Sequence, residues 1–280
     1  MDTPASRSQT FPTLNPLKMI KNIAGHMGLI ISLAQREVMG RYRGSILGLL
    51  WSFLNPLLML AVYTFVFSVV FKARWAGGSE TKTEFALALF TGLMIFNLFA
   101  ECAIRAPGLV LSNVNYVKKV IFPLEVLPVV SLVSALFHYV ISLIVWVVFY
   151  IAFFGVPNIY IFLLPLAILP FCLFILGTTW FLSSLGVYLR DIAQIVGVLT
   201  TMLMFLSPIF YPVNALPEIY RPFMELSPLT AVVVQVRDLL LWGKGMDWFG
   251  WMNQLILSCV VAWLGFAWFQ KTRKGFADVL

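Results

Sequence analysis

A cluster of arginines before the first long apolar run is the most chemically capable feature of this sequence. Arg36, Arg41 and Arg43 lie close together, with Glu37 as the single acid among them. A guanidinium carries forked N–H donors that match the oxygens of a phosphate. Arginines at the end of an apolar run also anchor a membrane helix with its positive end in the cytoplasm. The sequence leaves both roles open.

A second cationic group lies in the segment between residues 105 and 125. Asn113 could cap a short helix that presents Tyr116, Lys118 and Lys119 to the cytoplasm. Such a helix could dock on a partner protein. Lysines at the inner side of a membrane protein are also common for reasons of topology alone, and the two explanations are compatible.

Motifs for ATP hydrolysis and for metal chemistry are absent from the sequence. Gly243 and Lys244 are followed by Gly245 instead of Ser or Thr, and no phosphate-binding loop occurs elsewhere. His26 and His138 are far apart, and no Asp-x-Asp or His-Glu-x-x-His pattern occurs. We therefore expect no catalytic residues, cofactor or metal site in this chain, and we expect His138 to be a hydrogen-bonded interior residue.

The elements that position these side chains are predicted to be membrane helices. Hydrophobic residues make up 61% of the 280 and charged residues 11%, with a mean hydropathy of +0.93. A soluble domain of this length could not carry so much apolar surface. The apolar runs are too long for strands, which favours helices over an outer-membrane barrel. The predicted fold class is an all-α integral membrane protein.

Six transmembrane helices are predicted, each reaching or nearly reaching the ~20 residues that cross the hydrocarbon. Their predicted bounds are 46–71, 85–104, 126–154, 159–187, 193–210 and 249–269.

The charges of the connecting segments predict the orientation. Segments 1–45, 105–125, 188–192 and 270–280 together carry thirteen Lys and Arg residues against five acids. Segments 72–84 and 211–248 carry six of each. Because cytoplasmic loops are enriched in Lys and Arg, both termini are predicted to face the cytoplasm.

The N-terminal part divides into a cytoplasmic tail, residues 1–16, and an amphipathic helix with its connector, residues 17–45. Apolar residues recur at helical spacing, and lysines occupy the other faces. Such a helix lies in the membrane interface, although packing against a partner needs the same stripe. The stripe consists of Leu17, Ile20, Ile23, Met27, Ile30 and Ala34.

The segment 211–248 is unusual for a loop, because it contains two apolar pieces that are too short to span. Prolines interrupt both pieces. This pattern predicts two short re-entrant helices that dip into the outer leaflet and return, while an amphipathic helix lying flat on the surface remains the alternative.

Four stretches of the chain, taken in order, resemble a known family. They are RYRGSILGLLWSFLNPLLM (41–59), NVNYVKKVIFPLEVLP (113–128), SSLGVYLRDIAQI (183–195) and SPIFYPVNALPEIYRPFMELSPLTAVVVQVRDLLL (207–241). The chain is similar to the membrane subunits of type 2 ABC exporters for bacterial cell-surface polysaccharides, such as O-antigen, capsule and teichoic acid. The resemblance covers nearly the whole chain.

This resemblance implies several partners and a location. The chain would lie in the bacterial inner membrane, pair with a second copy of itself and bind two copies of a cytoplasmic ABC ATPase, which would hold ATP and Mg. Residues 46–280 would form the transmembrane domain, and residues 17–36 the interface helix of the family.

The resemblance also implies roles for particular residues. Residues 113–120 would form the coupling helix, which docks on the ATPase, and 207–241 the outer gate. The coupling residues would be Asn113, Asn115, Tyr116, Lys118 and Lys119, and the outer-gate residues Ser207, Pro208, Tyr211 and Pro228.

The implied substrate is a lipid-linked polysaccharide, and two groups of residues could meet it. Arg36, Arg41 and Arg43 could bind the lipid diphosphate at its entry, besides their possible role as anchors. Aromatic rings could line a conduit, because sugars present apolar C–H faces, although aromatic residues also form interfacial belts and pack bundles. The candidate lining residues are Trp51, Tyr63, Phe67 and Phe210.

Other functions remain as alternatives. The same fold could export a drug or a small lipid, and a membrane-embedded glycan-modifying enzyme would need an acidic or histidine constellation that the sequence lacks. A proton-coupled transporter would need buried acids within its spans, of which Glu101 is the one candidate.

Glu101 and Arg105 stand four residues apart on one helical face, which favours a local ion pair, with a gate contact as the alternative.

Overall fold

A computed structural model of the chain describes residues 16–70, 82–118 and 122–280. These residues contain helices and connecting turns but no β-strand. The α-helices in this described part are α1 (Pro16–Gly25), α2 (Met27–Tyr42), α3 (Trp51–Tyr63), α4 (Lys82–Arg105), α5 (Val114–Lys118), α6 (Val126–Phe154), α7 (Leu164–Tyr188), α8 (Ile192–Leu206), α9 (Arg221–Glu225), α10 (Pro228–Leu240), α11 (Trp248–Thr272) and α12 (Phe276–Val279).

Five helical segments within the described ranges are long and apolar enough to cross a membrane. They are Gly48–Phe67, Thr83–Gly108, Val126–Phe154, Ile159–Tyr188 and Trp248–Val279. Each corresponds to a predicted span, and the predicted bounds of the third are those observed. The predicted end of the first span, residue 71, lies outside the described residues.

The predicted span 193–210 is shorter in the structure. Helix α8 has 15 residues and ends at Leu206, because Ser207 turns to an extended backbone and Pro208 follows. A proline lacks the N–H that would continue the helix. Fifteen residues fall short of the usual length of a straight span, so the count of six spans remains a prediction.

Helix α4 is the centre of the bundle, and α3 lies at its edge. The most apolar window of the segment containing α4 is 78% buried, against 11% for the segment containing α3. Helix α4 packs against α6, α7, α8 and α10, and Leu87, Leu89 and Ile95 are fully buried in the core. Most of the apolar surface of α3 is exposed, for example at Leu58 and Val62.

Helices α7 and α11 form the closest helix pair, and two glycines allow it. A methyl group on Gly265 would overlap the carbonyl oxygen of Gly177, and one on Gly177 would lie 2.5 Å from the carbonyl oxygen of Val261. Small residues let membrane helices approach backbone to backbone, which increases dispersion contacts.

The predicted N-terminal helix is two helices instead of one. A turn at His26 separates α1 from α2, and the His26 ring nitrogen Nδ1 lies 2.8 Å from the carbonyl oxygen of Asn22. Gly25 and Gly28 flank the turn, and glycine is a poor helix former.

Part of the predicted apolar stripe packs on the bundle. The face of α2 that packs against α6 carries Ile30, Ala34 and Val38, all buried. Ile20 and Met27, which belong to the same predicted stripe, are exposed.

Candidate functional site

A polar cluster joins three helices at the end of α4 that is predicted to be cytoplasmic. Glu101 of α4 accepts a hydrogen bond from Arg41 of α2 at 2.5 Å, and its other oxygen lies 3.1 Å from Nδ1 of His138 on α6. The Nε2 atom of the same histidine lies 3.1 Å from the hydroxyl of Tyr42. His138 is thus a hydrogen-bonded interior residue, as predicted.

The predicted local pair of Glu101 and Arg105 is the weakest contact in this cluster. Arg105 Nη1 lies 3.5 Å from Glu101, whereas its Nη2 forms a closer ion pair with Glu37 of α2. The sequence prediction therefore named the right residues but missed the stronger partners. Both Arg41 and Arg105 connect α2 to α4, so the cluster fixes α2 to the bundle.

A cavity of about 610 Å³ opens above the Glu101 cluster, between α3, α4 and α6. Its lining runs from Phe90 to Ile104 on α4, which corresponds to roughly 20 Å of helix. Arg41 and Glu101 form its charged end, with His138 beside them. Uncharged hydrogen-bonding groups line its walls, namely Tyr42, Ser52, Asn55, Tyr63, Asn97, Tyr139 and Ser142.

The four aromatic residues predicted for a conduit occupy different places. Tyr63 lines the cavity. Phe67 stacks on Phe210 with ring centroids 5.9 Å apart, and it also contacts Phe85, so it joins the end of α3 to the turn after α8. Trp51 is half-buried at the start of α3. The structure brings Tyr63, Phe67 and Phe210 into one aromatic chain.

The three arginines of the predicted diphosphate entry also differ. Arg36 and Arg43 are exposed on α2 and in the turn that follows it. Arg41 faces the cavity and binds Glu101. An arginine already paired with a carboxylate has fewer donors left for a phosphate.

The predicted coupling segment contains one helical turn, α5. Asn115 and Lys118 are exposed, while Tyr116 is half-buried and stacks on Phe122 with ring centroids 4.2 Å apart. The side-chain amide of Asn113 donates to the carbonyl of Leu109, which closes the preceding turn; the cap predicted for this residue remains a prediction. Lys119 lies outside the described residues.

The buried carboxylate of Glu125, which follows α5 in the chain, joins the N-terminal helix α1 and the segment after α11 to the bundle. It accepts hydrogen bonds from Asn22 of α1 at 2.7 Å and from Arg273 after α11 at 2.6 Å. The backbone carbonyl of Glu125 accepts from the indole of Trp180 on α7 at 3.0 Å. Sequence reasoning missed this residue, although an acid at the start of an apolar span was a visible signal.

The predicted outer-gate residues lie at the end of α8 and at the start of α10. Ser207 and Pro208 are buried, and the hydroxyl of Tyr211 donates to the carbonyl of Leu206 at 2.9 Å. Pro228 begins α10, and its carbonyl accepts from Gln254 of α11 at 3.0 Å. Helix α10 buries most of its side chains, including Val232, Val236 and the unpredicted Arg237.

Residues 28–241 match the model of the ABC-2 type transporter family. This range covers most of the chain, from α2 to α10. The chain belongs to the ABC-2 type transporter family. Together with its five long apolar helices, this makes it a multi-pass membrane protein. The residues that match the family model include the Glu101 cluster, α5, Glu125 and Arg237.

Named relatives extend over almost the whole chain. It is 30% identical to the O-antigen export system permease protein of Myxococcus xanthus over 264 residues, 94% of this chain and 99% of that one. It is 25% identical to the corresponding protein of Klebsiella pneumoniae over 94% of this chain and 99% of the other. It is 22% identical to the polysialic acid transport protein of Escherichia coli over 85% of this chain and 91% of that protein.

Proposed function

We propose that this chain is the transmembrane permease subunit of an ATP-driven exporter that moves a lipid-linked, O-antigen-like polysaccharide from the cytoplasm across the bacterial inner membrane. The observation that carries this proposal is the similarity to the O-antigen export permease of Myxococcus xanthus, which extends over 99% of that protein.

The proposed topology has six spans with both termini in the cytoplasm, and α8 is the fifth of them. The distribution of Lys and Arg supports the orientation. The burial of α10 against α4 and α7 supports a re-entrant position over a flat one, because a helix on the membrane surface would bury a single stripe. Helix α9 is short, and apolar residues are exposed within it at Phe223 and directly after it at Leu226.

In this proposal the exporter contains two copies of the chain and two ABC ATPase chains. ATP and Mg bind to the ATPases, and the permease itself has no catalytic role. Helix α5 docks on the ATPase through its exposed Asn115 and Lys118. Because Glu125 joins the segment after α5 to α1 and to Arg273, a push on α5 would move the interface helix and the C-terminal segment together.

The proposed path of the substrate begins at α2 and follows α3. Arg36 and Arg43 are exposed and could bind the lipid diphosphate, with the cavity beside the Glu101 cluster next along the path. Amide and hydroxyl groups such as Asn55 and Asn97 can exchange hydrogen bonds with a glycan without holding it by charge. The aromatic chain of Tyr63, Phe67 and Phe210 follows towards the outer gate.

A reconstitution experiment tests the subunit's role. The chain is coexpressed with an ABC ATPase from the same organism, the proposed partner, and purified in nanodiscs. We expect a stable complex of both proteins whose ATP hydrolysis increases when the lipid-linked polysaccharide of the same organism is added. The proposal would be contradicted if the chain purified without the ATPase, or if the rate of ATP hydrolysis stayed the same when the polysaccharide was added.

Capsule export is the second candidate, favoured by the similarity to the polysialic acid transport protein of Escherichia coli. Expression in two bacterial strains, one without its O-antigen export permease and one without its capsule permease, separates the candidates. We expect the chain, together with its own ATPase, to restore surface O-antigen in the first strain and no capsule in the second.

A further inference from the structure

Arg237 of α10 is a charged residue in the interior of the outer half of the bundle. Its residue surface is 2% exposed, and its neighbours on the same helix, such as Val233 and Val236, are fully buried. Removing a guanidinium from water is costly unless its donors are bonded. Its hydrogen bonds therefore indicate what the residue does.

Three of these bonds go to backbone carbonyls on two other elements. The Nε atom donates to Ala88 of α4 at 2.8 Å. The two terminal nitrogens donate to Pro208 at 2.6 Å and to Ile209 at 2.8 Å, in the turn that follows α8. The planar fork of donors thus ties the outer end of α8 to α4, with α10 as the third element.

Gly92 of α4 provides the space for this arrangement. A methyl group at Gly92 would lie 2.6 Å from Nη2 of Arg237 and 3.3 Å from Cα of Ile209. The turn and the guanidinium therefore pack directly on the α4 backbone. Even an alanine at this position would displace one of them.

The turn held in this way contains the predicted gate residues Ser207 and Pro208. Ser207 is 3% exposed, so the turn is covered in this conformation. Charge-assisted hydrogen bonds are among the stronger polar contacts, but they can be exchanged for other partners when an element moves. Two such bonds, to Pro208 and Ile209, hold this turn, so a movement of the turn away from α10 would release it from Arg237.

We propose that Arg237 is a positioning residue that latches the outer end of α8 onto α4 and so keeps the outer gate closed until ATP is bound. Release of Pro208 and Ile209 from the guanidinium lets the turn leave α4 and opens the outer end of the path. This inference rests on the proposed export function, because it assigns a regulatory contact to the same conduit.

The test measures the accessibility of the turn directly. The native cysteines are removed by Cys102→Ala, Cys172→Ala and Cys259→Ala, and Ser207→Cys supplies a reporter of nearly the same size. The complex with its ATPase in nanodiscs is treated with a polar maleimide, with and without a non-hydrolysable ATP analogue. Nanodiscs expose both faces, so the result does not depend on the proposed topology.

The reporter is expected to react slowly without nucleotide and about tenfold faster with it, because loss of a charge-assisted bond shifts the population by at least that factor. Gly92→Ala is expected to give the fast rate without nucleotide. Arg237→Lys is expected to do the same, because an ammonium group cannot reproduce the fork. The matched control Gly245→Ala, where a methyl group meets nothing within 4 Å, is expected to keep the slow rate.

A merely structural role for Arg237 gives a different pattern. The two latch variants would then lower the melting temperature of the complex, while the reporter in them kept the slow native rate in the absence of nucleotide. If Ser207→Cys reacted at the same rate with and without nucleotide in the chain that retains Gly92 and Arg237, the latch proposal would be wrong, and no variant of Arg237 would be needed to show it. Polysaccharide export by the native chain, measured in parallel in cells, separates failure of the latch from failure of the proposed function.

Discussion

Glu101 is the residue on which the contacts between α2, α4 and α6 converge. Its side chain is 17% exposed and it binds Arg41 and His138, with Arg105 nearby. Removing one member of such a cluster leaves the other charges without their partner, which costs more than an exposed pair would. Helix α2 should therefore loosen when Glu101 loses its charge.

Glu101→Gln tests this dependence. The substitution keeps the shape of the side chain, and we expect it to destabilise the folded chain by about 2 kcal/mol and to lower Tm by roughly 5 °C. Thermal unfolding of the purified chain in detergent measures the change. Glu218→Gln, at an exposed carboxylate of the outer loop, is the matched control and should leave Tm unchanged.

Lys118 and Tyr116 are expected to make separable contributions to α5, the proposed coupling helix. Lys118 is exposed, so Lys118→Ala is expected to weaken docking of the ATPase and to lower glycan-stimulated ATP hydrolysis several-fold while Tm stays the same. Tyr116 stacks on Phe122, so Tyr116→Ala is expected to lower Tm as well, whereas Tyr116→Phe should retain the stack. If the Lys118→Ala variant kept the native glycan-stimulated rate of ATP hydrolysis, Lys118 would serve only as a positive charge on the cytoplasmic side.

The close packing of helices α7 and α11 depends on two residues without side chains, Gly177 and Gly265. Gly265→Ala would force the helices apart at Gly177, and overpacking of this kind costs about 1–3 kcal/mol. We expect a lower Tm and less chain in the membrane. Gly28→Ala, in an exposed part of α2 where a methyl group meets nothing, should leave both unchanged or slightly raised.

The buried Glu125 should couple the two ends of the chain. In a double-mutant cycle of Glu125→Gln and Arg273→Gln, the effects on stability are expected to be non-additive by about 1–3 kcal/mol, because the two groups bind each other at 2.6 Å. Additive effects would mean that Arg273 stabilises the chain through other contacts.

The long helices were predictable and their side-chain partners were not. A membrane imposes length and apolarity on a span, so 126–154 could be identified to the residue. The partners of Glu101 depend on tertiary contacts. The break at His26 and the early end of α8 instead follow local features, Gly25 and Gly28 in the first case and Pro208 in the second, which apolar run length does not reveal. Periodicity favoured Arg105 because it lies on the same helix, whereas Arg41 and His138 come from other helices.

In the segment 211–248, too, the sequence indicated the element but not its side-chain contacts. Four prolines and short apolar pieces in 211–248 indicated an unusual loop, but they could not show which side chain secures it. The arginine in VVVQVRDLL was visible as a charge in an apolar stretch, a signal for a buried functional residue. Its acceptors lie on α4 and after α8, far away in the sequence.

Among the residues that the structure describes, the Glu101 and Glu125 clusters lie at the proposed cytoplasmic side, and Arg237 lies at the proposed outer side. The Glu101 and Glu125 clusters connect the N-terminal helices, the coupling segment and the C-terminal segment to the bundle. Arg237 holds the other end of the path. This arrangement suits a protein in which movements at the cytoplasmic face must reach an outer gate through α4 and α8.

The most direct test of the export function is the fate of the lipid-linked polysaccharide when the gene is deleted in its own organism. We expect the polymer to be synthesised but retained inside, so that a glycan-specific antibody detects it only after the membrane is permeabilised. The restored gene should return it to the cell surface. Polymer at the surface of the deletion strain, or no polymer anywhere in it, would contradict an export function.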